Sequence, residues 1–151
     1  MNQVVVNNVK NTEKVEKNVT YDAPHYVAAT NNGWGVEMVG TDAVDGTAWI
    51  SHAGIIGLAM TNFTVEDTDI IKARVRNRKG KWLPYSNKFN KTNGLGDGTD
   101  ITGVEIVGKN IIFAVHLKGG NWLPPVRTSE VDGEIFAGSG SPIDAIWIDK
   151  N

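Results

Sequence analysis

The feature that most constrains this chain is an internal repeat anchored on three tryptophans, Trp34, Trp82 and Trp122. Seven residues before each stands a valine, Val27, Val75 and Val115. Glycine precedes each Trp by one or two positions, as Gly33, Gly80 and Gly120, and Trp82-Leu83-Pro84 recurs as Trp122-Leu123-Pro124. Ten or eleven residues after each Trp comes a tight-turn pair, Asp45-Gly46, Asn93-Gly94 and Asp132-Gly133. Each unit then closes on an Ile-led strand beginning at Ile55, Ile101 or Ile143, which lie 21, 19 and 21 residues after their Trp. Four features recurring in one order three times mark a triplicated domain with repeats of about 21–62, 63–107 and 108–151.

Each repeat reads as strands. Lys72-Ala73-Arg74-Val75-Arg76 alternates with period two, and Asp-Gly or Asn-Gly pairs are strong hairpin signals. No window of helical length carries an apolar 3.6-residue period. The expected class is therefore all-β, with three tandem repeats closed around a pseudo-threefold axis, which buries one face of each sheet and limits open edges. A β-prism is the preferred architecture and a β-trefoil the second. Residues 1–20 form an Asn-rich N-terminal segment, either a linker or a first strand, ahead of a single domain over 21–151.

Composition narrows the function classes. The 151 residues contain 17 Gly, 5 Trp and no Cys, which excludes a disulfide scaffold and thiolate zinc sites. A net charge of −2 argues against the chain as a whole being a polyanion binder, and no apolar run approaches the roughly 20 residues of a membrane-spanning helix. Met1-Asn2-Gln3 and the following valines lack the basic start and cleavage site of a signal peptide. Either the chain is made without one, or it is a module cut from a larger secreted protein; the expected location is outside the cell or at its surface, in that form or after release by lysis.

Comparison of the repeats separates inside from outside. In the closing strands Leu58, Val104 and Ile146 share a face with Met60, Ile106 and Ile148, so this face is the expected core. The intervening position holds Ala59, Glu105 and Trp147; because it accepts Glu, Trp147 is expected to face solvent and offer a contact surface. Trp49 matches Phe136, counted from the turns, and is expected to be a core aromatic. The repeated Trp34, Trp82 and Trp122 admit two readings, as pillars of the core or as aromatic faces that stack on sugar rings. Eight of the 15 basic residues fall within 72–91 with no acid among them. Lys72, Arg74 and Arg76 head that strip as an outward row, either a solvated edge or a surface for an anionic polymer. The corresponding residues Tyr26, Ala28, Ala114 and His116 are not basic, which disfavours nucleic acid.

Catalytic and metal signals are weak. His25, His52 and His116 occupy non-equivalent repeat positions, no Ser sits in a nucleophile elbow, and Asp97-Gly98-Thr99-Asp100 is too short to form a calcium loop alone. No enzymatic activity, cofactor or metal is expected.

The segment Gly138-Ser139-Gly140-Ser141-Pro142-Ile143-Asp144-Ala145-Ile146-Trp147-Ile148-Asp149 resembles the sugar-binding loop and following strand of jacalin-related β-prism lectins. The unit from Val115-His116-Leu117 through Trp122, Val131-Asp132-Gly133 and Ala137-Gly138 to Ile148 is similar to the clostridial hydrophobic-Trp (ChW) repeat, found in tandem on secreted and surface proteins. The likeness is good over 112–149, fair over 71–106 and loose over 24–60. It implies a β-prism that binds carbohydrate at one end. Asp144 would accept hydrogen bonds from sugar hydroxyls beside the loop Gly138, Ser139, Gly140 and Ser141, with Gly119, Gly120 and Asn121 as the second lectin loop. The Asp position holds Ile56 and Thr102 in the other repeats, so the resemblance implies at most one such site. Ser141 stands where mannose-specific members often carry a second Asp. The leading expectation is a non-catalytic module recognising a cell-surface or cell-wall glycan, with Trp147, then Trp34, Trp82 and Trp122, stacking on the sugar. The alternative is a phage or surface-appendage subunit, compatible with a homo-oligomer, that uses an exposed Trp face for protein contacts. Neither requires membrane insertion.

Overall fold

The computed structural model describes residues 23–41, 53–61 and 69–151. The N-terminal segment, the Asp45-Gly46 turn, Trp49 and His52 lie outside them. The protein is all-β: among the described residues there are nine strands and no α-helix. The first repeat contributes β1 (His25–Thr30), β2 (Gly33–Trp34), β3 (Met38–Val39) and β4 (Gly57–Met60). The second contributes β5 (Ile70–Arg76) and β6 (Gly103–Gly108), and the third β7 (Ile111–Leu117), β8 (Val126–Arg127) and β9 (Ile143–Lys150). In each repeat the first strand pairs antiparallel with the closing strand, as β1–β4, β5–β6 and β7–β9. The returning arm of the hairpin carries the repeated Trp, set opposite Ala29, Arg76 or His116.

Two sets of backbone bonds join the repeats. Leu58 of β4 bridges Leu95 of the second repeat, and Val104 of β6 bridges Ala137 of the third. A closing strand is thus extended by the loop of the following repeat. At the start of the closing strands, Ile101 N–H donates to Ile55 O at 2.9 Å, Ile143 N–H to Ile101 O at 3.1 Å and Ile55 N–H to Ile143 O at 2.8 Å. This cycle contains one residue from each repeat. Ile55, Leu58, Ile101, Val104, Ile143 and Ile146 meet around a void of about 10 Å³, no larger than a water needs.

Burial follows the repeat comparison on the core face: Leu58, Met60, Val104, Ile106, Ile146 and Ile148 are all buried. Three expectations change. Trp147 is only 8% exposed and belongs to the core cluster, and its counterparts Ala59 and Glu105 are buried as well. The outer face of the closing strand is covered in the second repeat, because the next repeat's loop lies over it. Gly133 N–H donates to Glu105 Oε2 at 2.7 Å, and Ser129 bridges Val107. A buried Glu is possible there because Arg74 Nε donates to Glu105 Oε1 at 2.6 Å and the Tyr85 hydroxyl reaches both carboxylate oxygens. In the third repeat Trp147 stands opposite Ala114, whose single methyl leaves room for the indole.

The row Lys72, Arg74 and Arg76 is also engaged internally. Lys72 Nζ lies 2.8 Å from Asp132 and over the Tyr85 ring, while Arg74 sits over both Tyr85 and Trp82. Lys72, through Asp132, and Arg76, over the Phe136 ring, join the second repeat to the third, which leaves the strip only its later members. Finally, Val27 is not the counterpart of Val75 and Val115. Strand register pairs Ala28 with Leu58, as Val75 with Val104 and Val115 with Ile146. The first hairpin turns through Asn31-Asn32 and is one residue shorter, which hides the slip when spacing is counted from the Trp.

Candidate functional site

The register creates one equivalent location in each repeat. There the Trp of the hairpin arm meets the strand residue opposite it and the residue just before the closing strand's Gly or Ala. In the third repeat these are Trp122, His116 and Asp144. The His116 ring meets Trp122 edge-on with centroids 5.2 Å apart, and His116 Nδ1 lies 2.6 Å from Asp144 Oδ1. Asp144 is fully buried, and its Oδ2 is enclosed with no hydrogen-bond partner among the described residues. A sugar hydroxyl therefore has no route to this carboxylate in the structure; Asp144 orients His116 beneath Trp122 instead.

The two loops named with Asp144 do come together above it. Lys118 N–H, beside Gly119, Gly120 and Asn121, donates to Pro142 O at 2.9 Å. Ser139, Gly140 and Ser141 are exposed, with the Ser141 N–H pointing to Ser139 Oγ at 3.4 Å. Gly138 has a packing role: at φ +137°, a Cβ there would stand 2.5 Å from Thr102 O. The second repeat repeats this turn at Asp97, whose Oδ1 accepts from Thr99 N–H and Oγ while Oδ2 accepts from Asn77. The Thr99 hydroxyl holds the Asp97 carboxyl below its ordinary value. That carboxylate closes a turn, and among the described residues no three His, Cys, Asp or Glu side chains gather as metal ligands.

In the second repeat the location is filled. Arg76 Nη2 donates to Thr102 O at 2.8 Å, and its guanidinium lies 5.2 Å from the Trp82 and Phe136 ring centroids. Phe136 comes from the third repeat's loop and meets Trp82 edge-on at 5.5 Å.

The first repeat leaves the same location open. Arg76 and Thr102 are replaced by Ala29 and Ile56, which bring no polar group to span it. The residue before the bridging Leu95 is Gly94, where Phe136 precedes the bridging Ala137. The result is a cleft of about 350 Å³ bordered by Trp34, Ala29, Ile56 and Gly57 from one repeat and Lys91, Gly94, Leu95 and Gly96 from the next. Trp34 is 36% exposed, whereas Trp82 and Trp122 are half-buried. The glycines serve close approach: a Cβ at Gly94 would stand 2.9 Å from the Trp34 ring, and one at Gly96 would stand 2.3 Å from Ile56 O.

No family model matches the chain, and no curated protein or solved structure matches it significantly. Of the residues named from sequence, Trp34 alone combines an exposed aromatic face with an open cleft. The loop 138–141 is accessible but lies over a buried Asp144, and Trp147 is inside. Sequence reasoning missed Gly94 and Lys91. The available signal was the contrast of Gly94 with Phe136, visible only when each loop is compared as part of the preceding repeat's site.

Proposed function

We propose that the chain is a non-catalytic carbohydrate-binding module that recognises a cell-surface or cell-wall glycan, and that its binding site is the Trp34 cleft. The carrying observation is a half-exposed indole in a cleft whose size suits one or two sugar rings and whose neighbours are mostly glycine and small apolar residues. A sugar ring presents a C–H face that packs on an aromatic plane, while its hydroxyls remain at the edges for polar groups such as Thr30. The proposal includes the β-prism architecture. Each sheet draws its first and closing strands from one repeat, and three separate sheets favour a prism over the continuous barrel of a trefoil. The resemblance to jacalin-related lectins and ChW repeats supports the same ligand class, with the site displaced from Asp144 to Trp34.

Glycan-array binding and pulldown with isolated cell walls test the reading. Trp34→Ala is expected to abolish binding while leaving the unfolding midpoint nearly unchanged. Asp144→Ala is expected to do the reverse: it leaves glycan affinity intact and lowers stability by about 2 kcal/mol, because His116 loses its buried partner. Retention of full binding by Trp34→Ala sinks the assignment. A protein-contact subunit would have to use Trp34 as its exposed Trp face, since Trp147 is buried.

A further inference from the structure

We propose that the Trp34 cleft selects acidic saccharides, in which a ring stacked on Trp34 carries a carboxylate or phosphate that meets the ammonium of Lys91. This inference rests on the carbohydrate reading above and adds the chemical class. Lys91 is the one charged side chain among the residues that border the cleft. It is exposed, and among the described residues it makes no ion pair or hydrogen bond. Its charge is felt by Glu37, where it adds to the Thr61 hydroxyl and His25 in holding that carboxyl below its ordinary value. Glu37 accepts from the Thr61 hydroxyl at 2.8 Å and lies 2.5 Å from His25 Nδ1, while Asp97 is held by Thr99 and Asn77.

Of the eight basic residues in 72–91, Lys72, Arg74 and Arg76 are committed to Asp132, Glu105 and Thr102, which leaves Arg78, Lys79, Lys81, Lys88 and Lys91 exposed. Lys88 and Lys91 belong to the segment that leads into Gly94 and the cleft wall. At the cleft itself Lys91 is the cation an anion would meet, although the whole chain carries −2. In the second repeat the equivalent location already holds a cation, Arg76, whose guanidinium donates to Thr102 O; in the first, the cation comes from the opposite wall and makes no hydrogen bond or ion pair among the described residues.

The test follows the Trp34 indole N–H resonance during titration with trigalacturonate, with the neutral galactose trisaccharide and with galactose 6-phosphate. The wild-type chain is expected to bind at least one acidic probe more tightly than the neutral one, and added salt is expected to narrow the gap. Lys91→Gln is expected to weaken acidic binding by about three- to fivefold more than it weakens neutral binding, closing the gap between the probes. Preference for trigalacturonate assigns a carboxylate, and preference for galactose 6-phosphate assigns a phosphate; either supports the inference. Equal binding of acidic and neutral probes, or an acidic preference that survives Lys91→Gln, overturns it while the carbohydrate reading stands. Absence of any shift at Trp34 with all three probes, together with no wall pulldown, overturns both.

Discussion

Glu105 shows how a single buried charge can mislead a reading of faces. Its repeat position looks outward by alternation, yet it is 1% exposed and held by Arg74, Tyr85 and Gly133 N–H. The three repeats solve that position differently, with Val27 opposite Ala59, Arg74 opposite Glu105 and Ala114 opposite Trp147. An ion pair, a small pair and a large–small pair occupy one kind of space. Burial and the Glu105 carboxylate also push the Tyr85 hydroxyl above its ordinary value. Glu105→Ala is expected to destabilise the fold by about 3 kcal/mol, because Arg74 and Gly133 N–H then lose their acceptor. In a double-mutant cycle read by denaturant unfolding, Arg74→Ala combined with Glu105→Ala should cost clearly less than the sum of the two single changes. Additive losses would show that the pair is uncoupled. Glu37 offers a pH-resolved counterpart. The Thr61 hydroxyl, aided by His25, holds its carboxyl below the ordinary glutamate value. The folded state therefore binds this proton less readily than the unfolded chain. The resulting stabilisation is present above the ordinary glutamate pKa and disappears as pH falls through the lowered one. Carboxyl NMR titration should show the Glu37 midpoint move upward in Thr61→Val, and an unmoved midpoint would count against the hydroxyl as the main cause.

At the scale of strands and loops, the sequence was legible wherever a feature is local and obscure wherever it depends on the next repeat. Strand type and the apolar face of the closing strands follow from period alone, whereas Asn93-Gly94 and Asp132-Gly133 turn within loops and the Trp-bearing hairpins turn elsewhere, as at Gly80 and Gly119. Gly80, at φ +82°, and Asn77, whose Oδ1 accepts from Lys79 and Lys81 N–H, close the second hairpin much as such residues predict. The burial of Glu105 was not legible, since the loop over it lies 28 residues away at Gly133. Nor was the register of β1, because Val27 keeps the spacing to Trp34 while the strand itself is shifted by one. The candidate site shares this difficulty. Trp34 could be named from sequence, but its openness arises from Gly94 in another repeat. The second repeat shows how such a cleft closes, with Phe136 against Trp82. Gly94→Phe should therefore fill the first cleft and displace the indole, whose ring end lies 2.9 Å from the added Cβ. Glycan binding is expected to fall at least about tenfold with a stability change within about 2 kcal/mol. Intact binding by this folded variant would place the sugar elsewhere.

For the whole molecule, the decisive element is the cycle of backbone bonds through Ile55, Ile101 and Ile143. In an open stack of repeats each unit touches only its neighbours, and the array can lengthen or shorten with gradual loss of stability. Here the third repeat returns to the first, so each of the three buried N–H groups is satisfied only by another repeat. Removing one repeat strands a donor and an acceptor at the apolar centre, each worth about 1–3 kcal/mol when left unpaired. It also uncovers Leu58, Val104 and the other side chains around the axis. The covering loops add to this dependence, since Val104 pairs with Ala137 and Glu105 with Gly133 of the third repeat. The full chain should thus unfold in one transition, with Trp fluorescence and far-UV circular dichroism coinciding at every denaturant concentration. A chain ending at residue 108 keeps the first two repeats and both of their first-to-closing strand pairs, yet it loses two of the three bonds in the cycle. It is expected to show no cooperative transition, and its fluorescence should resemble that of the denatured full chain. A cooperative unfolding transition in this truncated chain would show that the repeats are autonomous and that the cycle merely docks them.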